Sequence, residues 1–428
     1  MVRVHPKAEP SPLACTRRAD CRACGDRSLE PVLSFGRTPL ANSFVRADQM
    51  GEPQETFPLD LFLCPECGLL QLLDVVDPGV LFRDYLYVSS TSPSFIAHFE
   101  KYAESVVGES GIRPGSLVVE IGSNDGILLR PFQARGMRVL GVDPAREIAR
   151  AACEAGIPTL SEFFTGELAA RIRAEHGPAS VIAANNVLAH VDDLHGVLDA
   201  VAGLLAPDGI LVFEVSYLLD VIEKTLFDMT YHEHLCYHAV GPLETLLARH
   251  GMQLIEARRV PTHGGSLRAV AQRATGGRPR GGSVDELLAL EARAGLRSRR
   301  TFEEFGGRIR SLGDELRGLL TGLKTRGEVV AGFGAPAKLT TLMHHFEIGR
   351  DLVEFIVDDS PLKQLRYTPG YHIPVLPVSE MYERRPDAVL ILAWNFAADI
   401  TRKHAAYLEH GGRFIVPLPK LEVISHHA

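Results

Sequence analysis

Short apolar runs alternate with glycine-bearing turns and helical stretches along most of the chain, and that alternation sets the expected elements. FIAHFEKYAESVVGESG, from residue 95, has the spacing of an amphipathic helix. SLVVEIGSNDGILLRPFQARGMRVLGVDPAREIARAAC then reads as strand, glycine turn, helix, strand. VIAANNVLAHVDDLHGVLDAVAGLLAPDGILVFEVS continues with a buried strand, a polar loop, a helix and a strand, and GGSLRAVAQR supplies a further strand. A glycine-rich stretch, TGGRPRGGS at 275–283, interrupts the series, and a long polar helical region follows. The pattern then restarts: EVVAGFGAPAKLTTLMHHF, LVEFIVDDSPLKQ, AVLILAWNFAADITRKHAAYL and RFIVPLP form a second strand–turn–helix series. Such alternation predicts an α/β protein with doubly wound parallel sheets, whose ligands bind at the carboxyl ends of the strands. The expected units are a small module at 10–80, a Rossmann-like domain at 81–282 and a second Rossmann-like domain at 283–428.

Composition narrows the function classes. With 46% hydrophobic and 23% charged residues the chain is globular in type, and a formal net charge of −8 argues against a nucleic-acid partner. No apolar run approaches the roughly 18 residues of a membrane span, and the first residues lack the apolar stretch of a secretory signal. A cytoplasmic protein, monomeric or weakly self-associating, is the expectation.

Seven cysteines include two CxxCG knuckles, Cys21 with Cys24 and Cys64 with Cys67. Each knuckle aims two thiolates at one ion, and the following glycine, Gly25 or Gly68, lets backbone amides turn toward sulfur. Four thiolates fill a tetrahedral zinc site and leave no open position, so the zinc is expected to be structural. Cys15 is a spare thiol, while Cys153 and Cys236 are expected to pack as inert groups.

The turn after the first strand of the central unit sets the cofactor. A dinucleotide fold calls for GxGxxG, but EIGSNDG carries only Gly122 and Gly126, with Ser123, Asn124 and Asp125 between them. Glu120 ends the strand. These carboxylates repel a phosphate and suit a sulfonium or ammonium cation, and Asp143 ends the next strand where a ribose diol would be met. The pattern resembles class I S-adenosylmethionine-dependent methyltransferases, in which ANNVLAHVDD, with Asn186 and His190, would line the methyl donor.

FDMTYHEHLCYHA, residues 227–239, holds seven carboxyl, imidazole and phenol side chains: Asp228, Tyr231, His232, Glu233, His234, Tyr237 and His238. Three readings compete: a metal site, a hydrogen-bonded loop and an acid/base site. The i, i+2 spacing of His232 and His234 lacks the one-face geometry of a helical HExxH motif. Placement at the cofactor end of the sheet favours acid/base chemistry.

Taken in order, the two CxxCG pairs, DYLYVSSTSPSF, EIGSNDG, YHEHL, HGGSLR, GFGAPAK and the PLKQ, RYTPG and HIPV segments resemble the sugar C-methyltransferases of deoxysugar biosynthesis, of which the tetronitrose C3 methyltransferase is one. The resemblance covers the chain from about Cys21 to Pro417. It implies a dTDP-linked 4-keto-6-deoxyhexose as substrate and methylation of a ring carbon beside the ketone, C3 favoured. On that resemblance Tyr231, Glu233 and His234 form the catalytic loop, with His234 as base, Glu233 orienting it and Tyr231 touching the sugar. His190 is a rival base and Tyr87 faces the sugar. Ser89, Ser90, Thr91 and His263 are substrate contacts. Gly334 and Lys338 of GFGAPAK, with Lys363, would grip the nucleotide diphosphate. Two departures fall there: Leu339 and Leu365 stand where the family pattern has glycine. Methylation of oxygen or nitrogen on a related sugar, a zinc-knuckle scaffold and an oxidoreductase are the competing functions. The last lacks a full GxGxxG, and a scaffold gives no reason to gather acids, histidines and tyrosines beside a glycine turn.

Overall fold

The computed structural model describes residues 15–82 and 93–426. Leu117–Ile121 is buried at every position, as expected of a central parallel strand. It stands in a seven-stranded sheet, between Ala179–Asn185 on one side and Arg138–Val142 on the other. Thr159–Leu160 closes the edge beyond Arg138–Val142, and Leu205–Ser216 extends the sheet past Ala179–Asn185. These strands run parallel. Ser266–Arg273 then inserts antiparallel between Leu205–Ser216 and Met252–Val260. The loops after the parallel strands therefore gather at one end, where EIGSNDG, ANNVLAH and YHEHL meet.

The second sheet also has seven strands. Its parallel centre is Pro374–Leu376, Ile356–Val357, Val330–Phe333, Ala388–Ile391 and Arg413–Val416, flanked by antiparallel edges Arg366–Tyr367 and Glu422–Ser425. The long polar helical region resolves into two helices, Gly282–Ala294 and Arg299–Thr325, because Gly295 takes a left-handed conformation at φ 65° that ends the first. The second helix buries Phe302, Phe305, Ile309, Leu312, Leu316, Leu320 and Leu323, a three-and-four spacing that makes one apolar stripe. Its Gly306 faces Leu33 of the N-terminal module and its Gly313 faces Phe346 of the C-terminal unit, so one helix joins both.

The N-terminal module is a four-stranded antiparallel sheet, and its outermost strand is not its own. Glu30–Thr38, Phe57–Leu63 and Leu70–Leu72 are completed by Cys236–Tyr237, which comes from the YHEHL loop. One apolar cluster runs through all three units, from Leu59 and Leu70 through Phe213 and Phe227 to Phe333 and Phe414. A second, with Phe95, Tyr102, Phe132 and Val212, fills the other face of the central sheet. Among the described residues no helix is long and apolar enough to cross a membrane.

Candidate active site

The two knuckles bring Cys21, Cys24, Cys64 and Cys67 together with all ligand atoms within 4.8 Å of one another. Gly25 and Gly68 lie at φ 74° and 84°, which turns each knuckle back on its first cysteine: Gly25 N–H donates to Cys21 O and Gly68 N–H to Cys64 O. Sulfur separations of 3.6 Å for Cys21–Cys67 and 3.5 Å for Cys24–Cys64 approach the edge of about 3.8 Å that a tetrahedron with Zn–S of about 2.3 Å requires. The hydrogen bond from Cys67 draws Cys21 down to about 5, while burial pushes Cys64 up to about 12. A divalent cation resolves that conflict, so the donor set fits structural zinc. Cys236 is buried in the shared edge strand; Cys153 is exposed at the surface, its sulfur against the Thr159 backbone, and does not pack inside.

At the cofactor end, Gly122 and Gly126 have φ of 66° and 77°, and a Cβ at Gly122 would lie 2.4 Å from Val187 Cγ2. Only glycine fits there. The Asp143 carboxylate closes the turn, accepting from Asn124 N–H at 2.8 Å and from Ala145 N–H at 2.9 Å, and each oxygen keeps a lone pair for a hydroxyl. Ser123 and Asp125 are buried, and among the described residues Ser123 Oγ, Asp125 Oδ1 and Glu120 Oε2 find no hydrogen-bond partner. Burial holds the Glu120 carboxyl well above the usual range, with Asp143 and Asp125 adding to the effect. Buried acceptors of this kind want a cationic donor, which the ammonium of S-adenosylmethionine provides. Asn186, at φ 55°, donates its backbone N–H to Glu214 O and places its amide 3.4 Å from His263 Nε2.

The seven-residue polar cluster divides by task. His232 donates from Nε2 to the Phe57 and Pro58 carbonyls, both at 3.2 Å, and so fixes the loop to the zinc module. Asp228 is fully buried and accepts from the Trp394 indole at 2.6 Å. His234 Nδ1 lies 2.7 Å from Met229 O, and its Nε2 lies 2.7 Å from Tyr231 Oη. A carbonyl only accepts, so Nδ1 carries the proton, Nε2 is the bare base and the Tyr231 hydroxyl donates to it. Burial, then His190, holds His234 well below its ordinary value, so it is neutral and able to accept a proton. The His190 ring stands edge-on to it at 4.9 Å between centroids. Glu233 Oε1 accepts from Asn42 Nδ2 of the N-terminal module at 2.6 Å.

In the C-terminal unit Gly334 sits at φ 86°, and Ala335 N–H is taken by Asp358 Oδ2 at 2.6 Å. Lys363 is buried with Nζ on Ala335 O at 2.8 Å. Lys338 is buried too. Its Nζ lies 2.6 Å from Asn395 Oδ1 and 3.5 Å from the centroid of the Trp394 ring. Tyr87, Ser89, Ser90 and Thr91 lie outside the described residues.

Asn42, Trp394 and Asn395 were not legible as site residues in the sequence. The one weak signal was that Trp394 is the sole tryptophan of the chain, in a loop just after a strand. At the cofactor end, half-buried His98 and buried Glu214 and Arg268 form a polar group that the sequence also hid. Glu214 accepts from Arg268 Nε at 2.7 Å and lies 3.0 Å from His98 Nε2.

An acid-lined glycine turn in a sheet of this order, with a neutral histidine on a neighbouring loop, defines an S-adenosylmethionine-dependent methyltransferase. Comparison with known proteins agrees and goes further. Residues 97–257 match the "Methyltransferase domain" family, 261–419 the "C-methyltransferase C-terminal domain" family and 21–82 the "Putative zinc binding domain" family. The C-methyltransferase NovU of Streptomyces niveus is 38% identical over 406 residues, covering 95% of this chain and 97% of NovU. A ubiquinone biosynthesis O-methyltransferase of Burkholderia thailandensis is 30% identical over 165 residues, 35% of this chain and 70% of that protein. Among solved structures, magnesium protoporphyrin IX methyltransferase (ChlM) from Synechocystis PCC 6803 with bound SAH is similar at a TM-score of 0.34 and 18% identity, covering 42% of this chain and 83% of that one. The chain belongs to the C-methyltransferase family that includes NovU.

Proposed function

We propose that this enzyme methylates a dTDP-linked 4-keto-6-deoxy sugar at the carbon beside the ketone, C3 favoured, in the biosynthesis of a deoxysugar. The observation that carries the reading is the tautomer of His234. A carbon next to a ketone becomes nucleophilic only when its proton is removed, and that needs a neutral base held at a fixed angle. The bond from Nδ1 to Met229 O leaves Nε2 as that base, with Tyr231 at 2.7 Å. In this reading the carbon's proton passes to the Tyr231 oxygen as the Tyr231 proton moves onto His234. Glu233, anchored by Asn42, holds the loop in register, and His190 packs against the base. S-adenosylmethionine, when bound, supplies an electrophilic methyl group. Glu120, Ser123 and Asp125 hold its amino-acid end and Asp143 its ribose, so that the carbanionic carbon and the methyl lie in line. His263 is assigned to the sugar. Gly334 and Lys363 are assigned to the nucleotide end, together with Ser89, Ser90 and Thr91; Tyr87 is assigned to the sugar face.

The test is mass spectrometry of candidate dTDP-4-keto-6-deoxy sugars incubated with enzyme and S-adenosylmethionine in deuterated water. The parent enzyme is expected to add one methyl and to wash deuterium into the position beside the ketone. His234→Ala is expected to lose both, and Tyr231→Phe to slow both by about 100-fold or more. A methyl gained on sugars without the ketone would make this an O- or N-methyltransferase and sink the enolate reading.

A further inference from the structure

Removing a proton beside a ketone puts negative charge on the carbonyl oxygen, and the largest catalytic contribution in such reactions comes from a donor already aimed at that oxygen. Three histidines of the cleft, His190, His234 and His263, do not bring a positive charge. Burial lowers His190 and His263 to about 4, and it holds His234 well below its ordinary value. Among the described residues, Lys338 is the lysine whose charge bears on His263, adding to the effect of burial there. The geometry agrees. Lys338 lies on the Trp394 ring, and the HGG turn carrying His263 packs on the same indole, where a Cβ at Gly264 would be 2.6 Å from Trp394 Cη2. Across the indole, Trp394 Nε1 donates to Asp228 of the catalytic loop at 2.6 Å. The ammonium is thus seated between the catalytic loop and the His263 turn.

We propose that Lys338 is the cation that meets the enolate oxygen, so that it serves the reacting carbonyl and not the diphosphate. The proposal rests on the keto-sugar reading above. The electron count is as follows. The C–H pair becomes the C=C bond, the carbonyl π pair moves onto oxygen, and the proton ends on His234. The oxygen takes an N–H of Lys338. The carbon then bonds to the methyl, the C–S pair leaves with sulfur, and the C=O bond re-forms. The alternative, a diphosphate grip, fits the local structure poorly. An anion seat needs free amides at the turn, but Ala335 N–H is occupied by the Asp358 carboxylate at 2.6 Å. The helix that follows, Leu339–His345, is only seven residues long, and the Lys338 ammonium points to Asn395.

The two roles separate kinetically. With the full-length zinc-loaded enzyme and S-adenosylmethionine, Lys338→Met is expected to lower kcat and deuterium wash-in together by about 100-fold or more. Its Kd for dTDP, measured by calorimetry, should stay within about twofold, and Lys338→Arg should recover part of the rate. A rise of about tenfold or more in KM and in the dTDP Kd, with kcat and wash-in unchanged, would overturn the role and assign Lys338 to the diphosphate. If Lys338→Met fails to fold, Lys338→Arg decides by the same split between kcat and KM. A parent enzyme that neither methylates nor exchanges keto sugars overturns the substrate reading itself, an outcome distinct from a defect confined to the variants.

Discussion

Leu365 shows how one residue marks a position the rest of the chain is built around. Its φ is 63°, and it is 76% exposed. Its N–H still donates to Val375 O at 2.8 Å, so the turn is kept and the leucine bears the strain. A left-handed conformation costs a non-glycine residue roughly 1–2 kcal/mol, and glycine gives back about 0.5–1 kcal/mol through its freer unfolded chain. Leu365→Gly is therefore expected to stabilise the fold by about 0.5–1 kcal/mol and leave methylation unchanged. A denaturant titration checks it, and a lower midpoint would show that the leucine side chain contributes something its exposure hides. At this scale the sequence was legible wherever chemistry is local. The cysteine knuckles and the glycine turn flanked by acids were legible because each is a short local motif. Asn42 with Glu233, and Asp228 with Trp394, are separated by 191 and 166 positions, and no local period links such residues.

At the level of elements, the strand Cys236–Tyr237 carries the argument. It was expected as part of a loop. The structure makes it the edge of the zinc module, with Cys236 opposite Gln71 and Tyr237 opposite Leu70, and Leu72 N–H donating to Leu235 O. Two residues of strand are too short to register in a sequence pattern, and their pairing partner lies more than a hundred residues away. The consequence is that the module built on the four cysteines also holds the YHEHL loop. His232 on the Phe57 and Pro58 carbonyls and Glu233 on Asn42 tie the same loop to the same module. The cofactor turn is built differently, on Leu117–Ile121 and Asp143 of the central sheet. Zinc removal by a chelator is therefore expected to abolish methylation while S-adenosylmethionine binding falls by less than about tenfold. Calorimetric titration of S-adenosylmethionine into the stripped protein measures this, and full activity of zinc-free protein would show that the shared strand does not position the loop.

Across the whole molecule, burying so many histidines between three units makes stability depend on pH in a definite direction. Burial lowers His190, His232, His238 and His263 from an ordinary 6.5 to about 4. The unfolded chain takes up protons at these sites below about 6.5, and the folded chain only below about 4. Their contribution is therefore complete above pH 6.5 and is lost as pH falls through that window, on the order of 1 kcal/mol per pH unit for each histidine. Asp228 works the other way, because burial raises it to about 6 and its proton returns some stability as pH falls through that value. Burial raises Asp74, Glu120, Asp143 and Glu291 as well, but against these five carboxyls stand ten histidines that burial lowers, so the trend is not reversed. The melting temperature is expected to be flat above about pH 7 and to drop steeply between about 6.5 and 4.5. His232→Gln, which keeps an N–H for the Phe57 carbonyl and removes the titration, should flatten that slope by on the order of 1 kcal/mol per pH unit. A melting temperature unchanged across the window would mean that these rings accept protons while folded, and that the junction of the three units opens to water before it unfolds.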